Sequence, residues 1–153
     1  MLLAACSAEQ TGPLVESTAE SLAVEVRTAP TAQSIAGQSV LLETQLWRDF
    51  QPVAPPDGQP LIVVARVRTS DGSALAPGLR ADSVWVMFGE KAWSTRAVQE
   101  QPRASTASYL EVVARDGPKW GPGVSVDVVV RVMDGSGRPV YVRAANQRIN
   151  RTD

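Results

Sequence analysis

Histidine is absent from this chain of 153 residues, and cysteine occurs once, as Cys6. The first absence removes the usual neutral-pH general base, the serine–histidine and cysteine–histidine nucleophile pairs, and every zinc site built on imidazole. The second excludes an intrachain disulfide and a thiolate metal cluster. Charge of one sign is also missing: the formal net charge is -1, so no global field draws in nucleic acid or an anionic surface. Lysine is confined to Lys91 and Lys119, and the arginines are scattered through alternating segments, as on solvated faces. No apolar run approaches the ~20 residues of a membrane-spanning helix. There is no Gly-x-Ser-x-Gly elbow, no Ser-x-x-Lys, no phosphate-cradling glycine loop and no dinucleotide fingerprint. These absences predict a chain that is not an enzyme and carries no cofactor or metal. Carboxylate pairs of the glycosidase kind lie beyond a linear reading, because their spacing is set in three dimensions.

What the sequence has is alternation. Leu22, Val24 and Val26 alternate with polar or small residues. Val40, Leu42 and Leu46 share one parity, with Glu43, Gln45 and Trp47 on the other. Leu61, Val63, Ala65 and Val67 oppose Ile62, Val64, Arg66 and Arg68. Val84-Val86-Phe88 form another set, with Lys91 to Val98 as the expected hairpin partner. Leu110-Val112-Ala114, then Val124 to Val132 in steps of two, then Val140-Val142-Ala144 complete the pattern. Period-two patterning with β-branched enrichment marks half-buried strands. The joints carry turn chemistry: Pro55-Pro56-Asp57-Gly58, Ser70-Asp71-Gly72, Asp116-Gly117-Pro118, Gly121-Pro122-Gly123 and Asp134-Gly135-Ser136-Gly137. The expected fold is all-β, a two-layer antiparallel immunoglobulin-like β-sandwich of about seven or eight strands over residues 22–153.

The segment before it is different. Leu3-Ala4-Ala5-Cys6 resembles the lipobox of bacterial lipoproteins, in which cleavage precedes a cysteine that then carries acyl chains. The resemblance implies lipidation at Cys6 and an extracytoplasmic, membrane-anchored location in the bacterial cell envelope. Residues 1–6 then read as the remnant of a signal peptide, and the polar, small residues 7–21 as a flexible tether. Five residues before Cys6 are too few for a basic region plus an apolar stretch of ~7–15, so the signal is expected to begin upstream of Met1.

A second resemblance covers about a quarter of the chain. Gly121-Pro122-Gly123-Val124-Ser125-Val126-Asp127-Val128, Asp134-Gly135-Ser136-Gly137 and Tyr141-Val142-Arg143-Ala144 are similar to the last hairpin of bacterial immunoglobulin-like domains of fibronectin type III kind. The Cys…Trp…Cys pattern of antibody domains is absent. Leu46-Trp47-Arg48-Asp49-Phe50 and Trp120-Gly121-Pro122-Gly123 resemble segments of exported bacterial proteins. No activity attaches to that resemblance.

Four residues stand out as partner contacts: Trp47, Trp85, Trp93 and Trp120. By parity Trp47, Trp85 and Tyr141 face away from the core, with Trp93 nearby, and an outward aromatic patch would serve a protein or glycan partner. The competing expectation is that they fill a core that needs large side chains. For Trp120, stiff flanks at Pro118 and Pro122 favour a ring folded back as a plug. Asp57, Asp71, Asp116 and Asp134 each precede a glycine or lie in a turn, as structural turn carboxylates rather than calcium ligands. Asp127 and Arg131 are about 13 Å apart along one strand, so each is expected to pair across strands. The leading expectation is a lipid-anchored binding or structural module for adhesion, scaffolding or envelope assembly. The alternative is an inhibitor or accessory domain of a secreted hydrolase, acting through its loops.

Overall fold

A computed structural model describes residues 16–153. Cys6 and most of the expected tether lie outside the described residues. The described chain is all-β apart from one 3₁₀ turn and one α-helical turn. Its strands are β1 (Glu16–Thr18), β2 (Ala32–Ile35), β3 (Gln38–Asp49), β4 (Leu61–Thr69), β5 (Arg80–Phe88), β6 (Lys91–Arg96), β7 (Tyr109–Gly117), β8 (Ser125–Met133) and β9 (Pro139–Thr152). They form one curled, mixed sheet in the order β1-β6-β5-β8-β9-β3-β4-β7, with β2 paired to β3.

The alternation translates directly into burial. Every odd position of β4 from Leu61 to Thr69 is buried and every even one is half-buried. In β8, Val126, Val128, Val130 and Val132 all face the core. The inward sets of β3, β4, β5, β7, β8 and β9 meet in one cluster, so curling the sheet places a single core between its two halves. Each fully buried valine or leucine contributes about 1.5–3 kcal/mol of transfer free energy, which is what offsets ordering the chain.

Two seams hold the curl. On one side β9 changes partners along its length. Pro139 to Ala144 and, after a bulge, Gln147 and Arg148 pair antiparallel with β8, and Ile149 to Thr152 run parallel to Leu46 to Asp49 of β3. Asn146 in the left-handed region (φ 54) lies in that bulge of the β8–β9 ladder. On the other side Val98 and Val113 exchange backbone hydrogen bonds of 3.2 and 2.9 Å, joining the end of β6 to β7.

Several expectations are corrected. The sheet is not wholly antiparallel, because the β3–β9 pair is parallel. Leu22, Val24 and Val26 do not form a strand: Val24–Arg27 is a helical turn, α1, and only Val26 of these three is buried while Val24 is exposed. Glu16–Thr18, assigned to the tether by composition, pairs with β6. Asp116 and Gly117 belong to β7 and not to a turn, with Asp116 at φ 63.

Trp93 and Trp120 are core residues, 3% and 7% exposed, and are not available as surface contacts. Trp93 lies against β7, where a Cβ at Gly117 would come within 2.8 Å of its ring, so the glycine makes room for the indole. Trp120 packs on Phe88 with ring centroids 5.6 Å apart. Its loop folds back over the open end of the core. Truncation of Trp120 to alanine is therefore expected to cost about 3–5 kcal/mol. Denaturant unfolding measures this, and an unchanged midpoint would contradict the packing.

Candidate functional site

The β3–β4 connection, residues 50–60, carries the most exposed large hydrophobic side chain among the described residues. Val53 is 94% exposed and is flanked by exposed Pro52, Pro55 and Pro56. An apolar tip left in water is uninformative on a floppy loop, but this loop is pinned at nearly every turn.

The pin is Arg48, at the end of β3. It follows Val40, Leu42 and Leu46 on the inward parity and is only 3% exposed. Its guanidinium donates to four backbone carbonyls. Nε reaches Gln59 O at 2.9 Å, Nη1 reaches Gly121 O at 2.7 Å and Lys119 O at 3.2 Å, and Nη2 donates to Asp57 O. One buried cation thus ties the 50–60 loop to the Trp120 loop. Burial lowers the Arg48 pKa and the Asp57 carboxylate offsets this, yet a guanidinium stays charged in a folded protein. Charge-assisted bonds to carbonyls are about twice as strong as neutral ones, which suits a group lifted out of water.

Further ties come from both flanks. Phe50 N donates to Thr152 O at 2.7 Å, Gln59 N to Asp49 O at 2.8 Å, and Gln51 N to the Asp49 carboxylate at 3.0 Å. Arg151 stacks over the Phe50 ring at 4.2 Å and Arg48 lies 5.1 Å from its centroid. Gly58 (φ 78) sits beneath that ring, where a Cβ would come within 2.6 Å of it. Lys119 Nζ pairs with Asp57 at 2.9 Å. Two turns close the loop internally, through Ala54 N to Gln51 O at 2.7 Å and Gly58 N to Pro55 O at 2.8 Å. The tip is consequently a β-turn with Pro52 and Val53 at its corners, not an extended strand.

The remaining expected site residues are dispersed. Trp47 and Trp85 lie on the outward parity and are half-buried, and Tyr141 likewise. Trp85 and Tyr141 stack 5.8 Å apart, but Leu22, Val26 and Ala29 pack against them. Trp47 stands on another part of the sheet, opposite Ile62 and Asn150. No single aromatic platform forms. The turn carboxylates behave as turn carboxylates: Asp71 accepts from Ser73 and Asp134 from Ser136 and Arg138. Asp127 pairs with Arg143 at 2.7 Å and Arg131 with Asp82 at 2.8 Å, each across strands. Among the described residues no group of three acidic or sulfur side chains is placed to hold a metal ion. Arg48 carries the site and was not singled out from sequence; an arginine on the inward parity of a strand is the signal that could have found it.

Hydrogen bonds hold several carboxyls below their ordinary range: Asp57 by Lys119, Asp71 by Ser73, Asp82 by Arg131, Asp134 by Ser136 and Asp153 by Arg151. A depressed folded pKa contributes stability that is complete above the unfolded value, about 4, and is lost as pH falls through the lower folded values. The midpoint of chemical unfolding should therefore fall steadily between about pH 5 and pH 2. A midpoint that is flat across this window would contradict these contacts.

No family model, curated protein or solved structure matches this chain.

Proposed function

We propose that this chain is a non-catalytic binding module of immunoglobulin-like topology, held at a membrane by lipid on Cys6, and that the 50–60 loop is its contact element. The observation that carries the reading is the combination at that loop: an almost fully exposed Val53 on a backbone fixed by a buried arginine. Preorganised loops bind without the entropic cost of ordering, so rigidity beneath an apolar tip is what a protein-recognition element needs. The β-turn at Pro52-Val53 fits a shallow apolar pocket on a protein partner. It does not resemble the extended segment a hydrolase cleft takes as substrate, so the binding-module reading is favoured over that of an inhibitor.

The topology reading rests on strand pairing. With β3 to β9 taken as A, B, C, C′, E, F and G, one layer reads A-B-E and the other C′-C-F-G, the arrangement of an immunoglobulin-type sandwich. The non-catalytic reading rests on chemistry. The chain has no histidine, the usual neutral-pH general base, so its single cysteine and its serines lack the partner that would activate them as nucleophiles. The anchor rests on the lone cysteine in its lipobox-like context. The ten residue-to-residue steps from Cys6 to Glu16 reach at most about 36 Å. Among the described residues no helix is long and apolar enough to cross a membrane.

Two measurements test the module. Intact mass of protein made from its native gene with its upstream reading frame should carry a diacyl or triacyl addition at Cys6, and Cys6→Ala should release it from membranes. A photo-crosslinking residue at Val53 should capture a discrete partner in the native envelope, while one at Ser136, in the β8–β9 turn at the opposite end, should not. Equal capture at both positions, or an unmodified soluble wild type, would overturn the corresponding part.

A further inference from the structure

The two outer faces of the curled sheet differ in kind. Over β3, β4 and β7 the outward face mixes half-buried apolar residues such as Trp47, Ile62 and Val64 with the ion pairs Arg66–Glu111 and Arg68–Glu43 at 2.5 Å, and among the described residues no segment is packed over it as a second core cluster. Over β5, β8 and β9 the outward positions include, beside the charged Asp127, Arg131 and Arg143, an apolar group suited to an interior: Trp85, Met87, Val129 and Tyr141. They form a cluster separate from the main core, and what covers them is the segment Leu22–Pro30 through Leu22, Val26 and Ala29.

That cover is weakly built. Its only helix, α1, is four residues long, far short of a self-supporting helix. It contributes no strand to the sheet. Open crevices flank it on both sides, about 460 Å³ beside Arg27, Met87 and Asp127 and about 370 Å³ beside Thr28, Gln33 and Val140. Its polar ties converge on one residue. The Arg143 side chain donates to Val26 O, Arg27 O and Ala29 O at 3.2, 2.5 and 3.2 Å, and Arg143 N donates to Pro30 O at 2.8 Å. Asp127 orients that guanidinium at 2.7 Å.

We infer that Leu22–Pro30 is a latch that opens as its own cooperative unit, leaving the sheet intact and uncovering the Trp85-Met87-Tyr141 face. The opening disrupts three apolar contacts and one arginine clamp, whereas unfolding the sheet disrupts the whole core. The inference is independent of the binding role given to the 50–60 loop.

Native-state hydrogen exchange on the full chain tests it. The amides of Val26, Arg27 and Thr28 should exchange at least about 100-fold faster than those of Val128 and Val130, with little denaturant dependence. Arg143→Gln should accelerate the latch amides by a further ~10-fold and leave the β8 amides within about twofold. Val26→Asp, which holds the latch off, should raise binding of an apolar dye while β8 protection persists. One common rate and one common denaturant slope for latch and β8 in the wild type would overturn the inference, and that comparison decides alone if Arg143→Gln does not fold.

Discussion

A single desolvated guanidinium organises one end of this protein. Arg48 occupies an inward position next to the parallel seam between β3 and β9, opposite Arg151, where a hydrophobic residue would continue the core. Its charge is matched by carbonyl dipoles from two loops and not by a buried carboxylate. Removing a buried charge's partners is costly, so the dependence runs both ways: the loops are fixed because Arg48 must be solvated by them. The positions of Phe50, Val53 and Trp120 all follow from that constraint. The seam matters too, since parallel pairing of Leu46–Asp49 with Ile149–Thr152 brings β3 to the place where Arg48 can reach both loops.

The rest of the molecule distributes its apolar surface unequally. The inward faces of the strands merge into one core, the outward face of β3, β4 and β7 mixes ion pairs with half-buried apolar residues, and the apolar part of the outward face of β5, β8 and β9 is capped by a short segment. Exposed ion pairs of the first kind are worth at most about 1 kcal/mol each and serve solubility more than stability. The capped aromatics are a different matter, because tryptophan and tyrosine on an outer face would invite association if left bare. Two apolar features thus sit apart: a tip in water on a pinned loop, and an aromatic face under a cover.

Legibility from sequence varied with how each element is stabilised. β4 and β8 were plain because the alternation of their apolar residues survives as burial in the structure, and the β5–β6 hairpin was legible from Val84-Val86-Phe88 and the run that follows from Lys91. The second half of β9 was invisible because Ala145 to Thr152 offers one buried apolar residue, Ile149, after a left-handed break at Asn146. α1 was misread since Leu22, Val24 and Val26 mimic strand alternation, and four residues cannot display a 3.6-residue period. Trp85 and Tyr141 were placed on the correct face, yet nothing local in sequence says that a distant segment lies over them. Trp93 was placed near the surface because its room comes from Gly117, some two dozen residues away. The site itself was missed for a related reason. Loops were read for turn chemistry, whereas their rigidity comes from a strand arginine whose partners are backbone atoms.

Backbone relaxation of the 51–57 amides, compared between the wild type and Arg48→Met, probes the central claim most directly. Order parameters near 0.85 are expected for the wild-type loop, as in rigid backbone, with a fall below about 0.6 in the variant while β8 is unchanged. A wild-type loop already below about 0.6, or one equally rigid without the guanidinium, would contradict it.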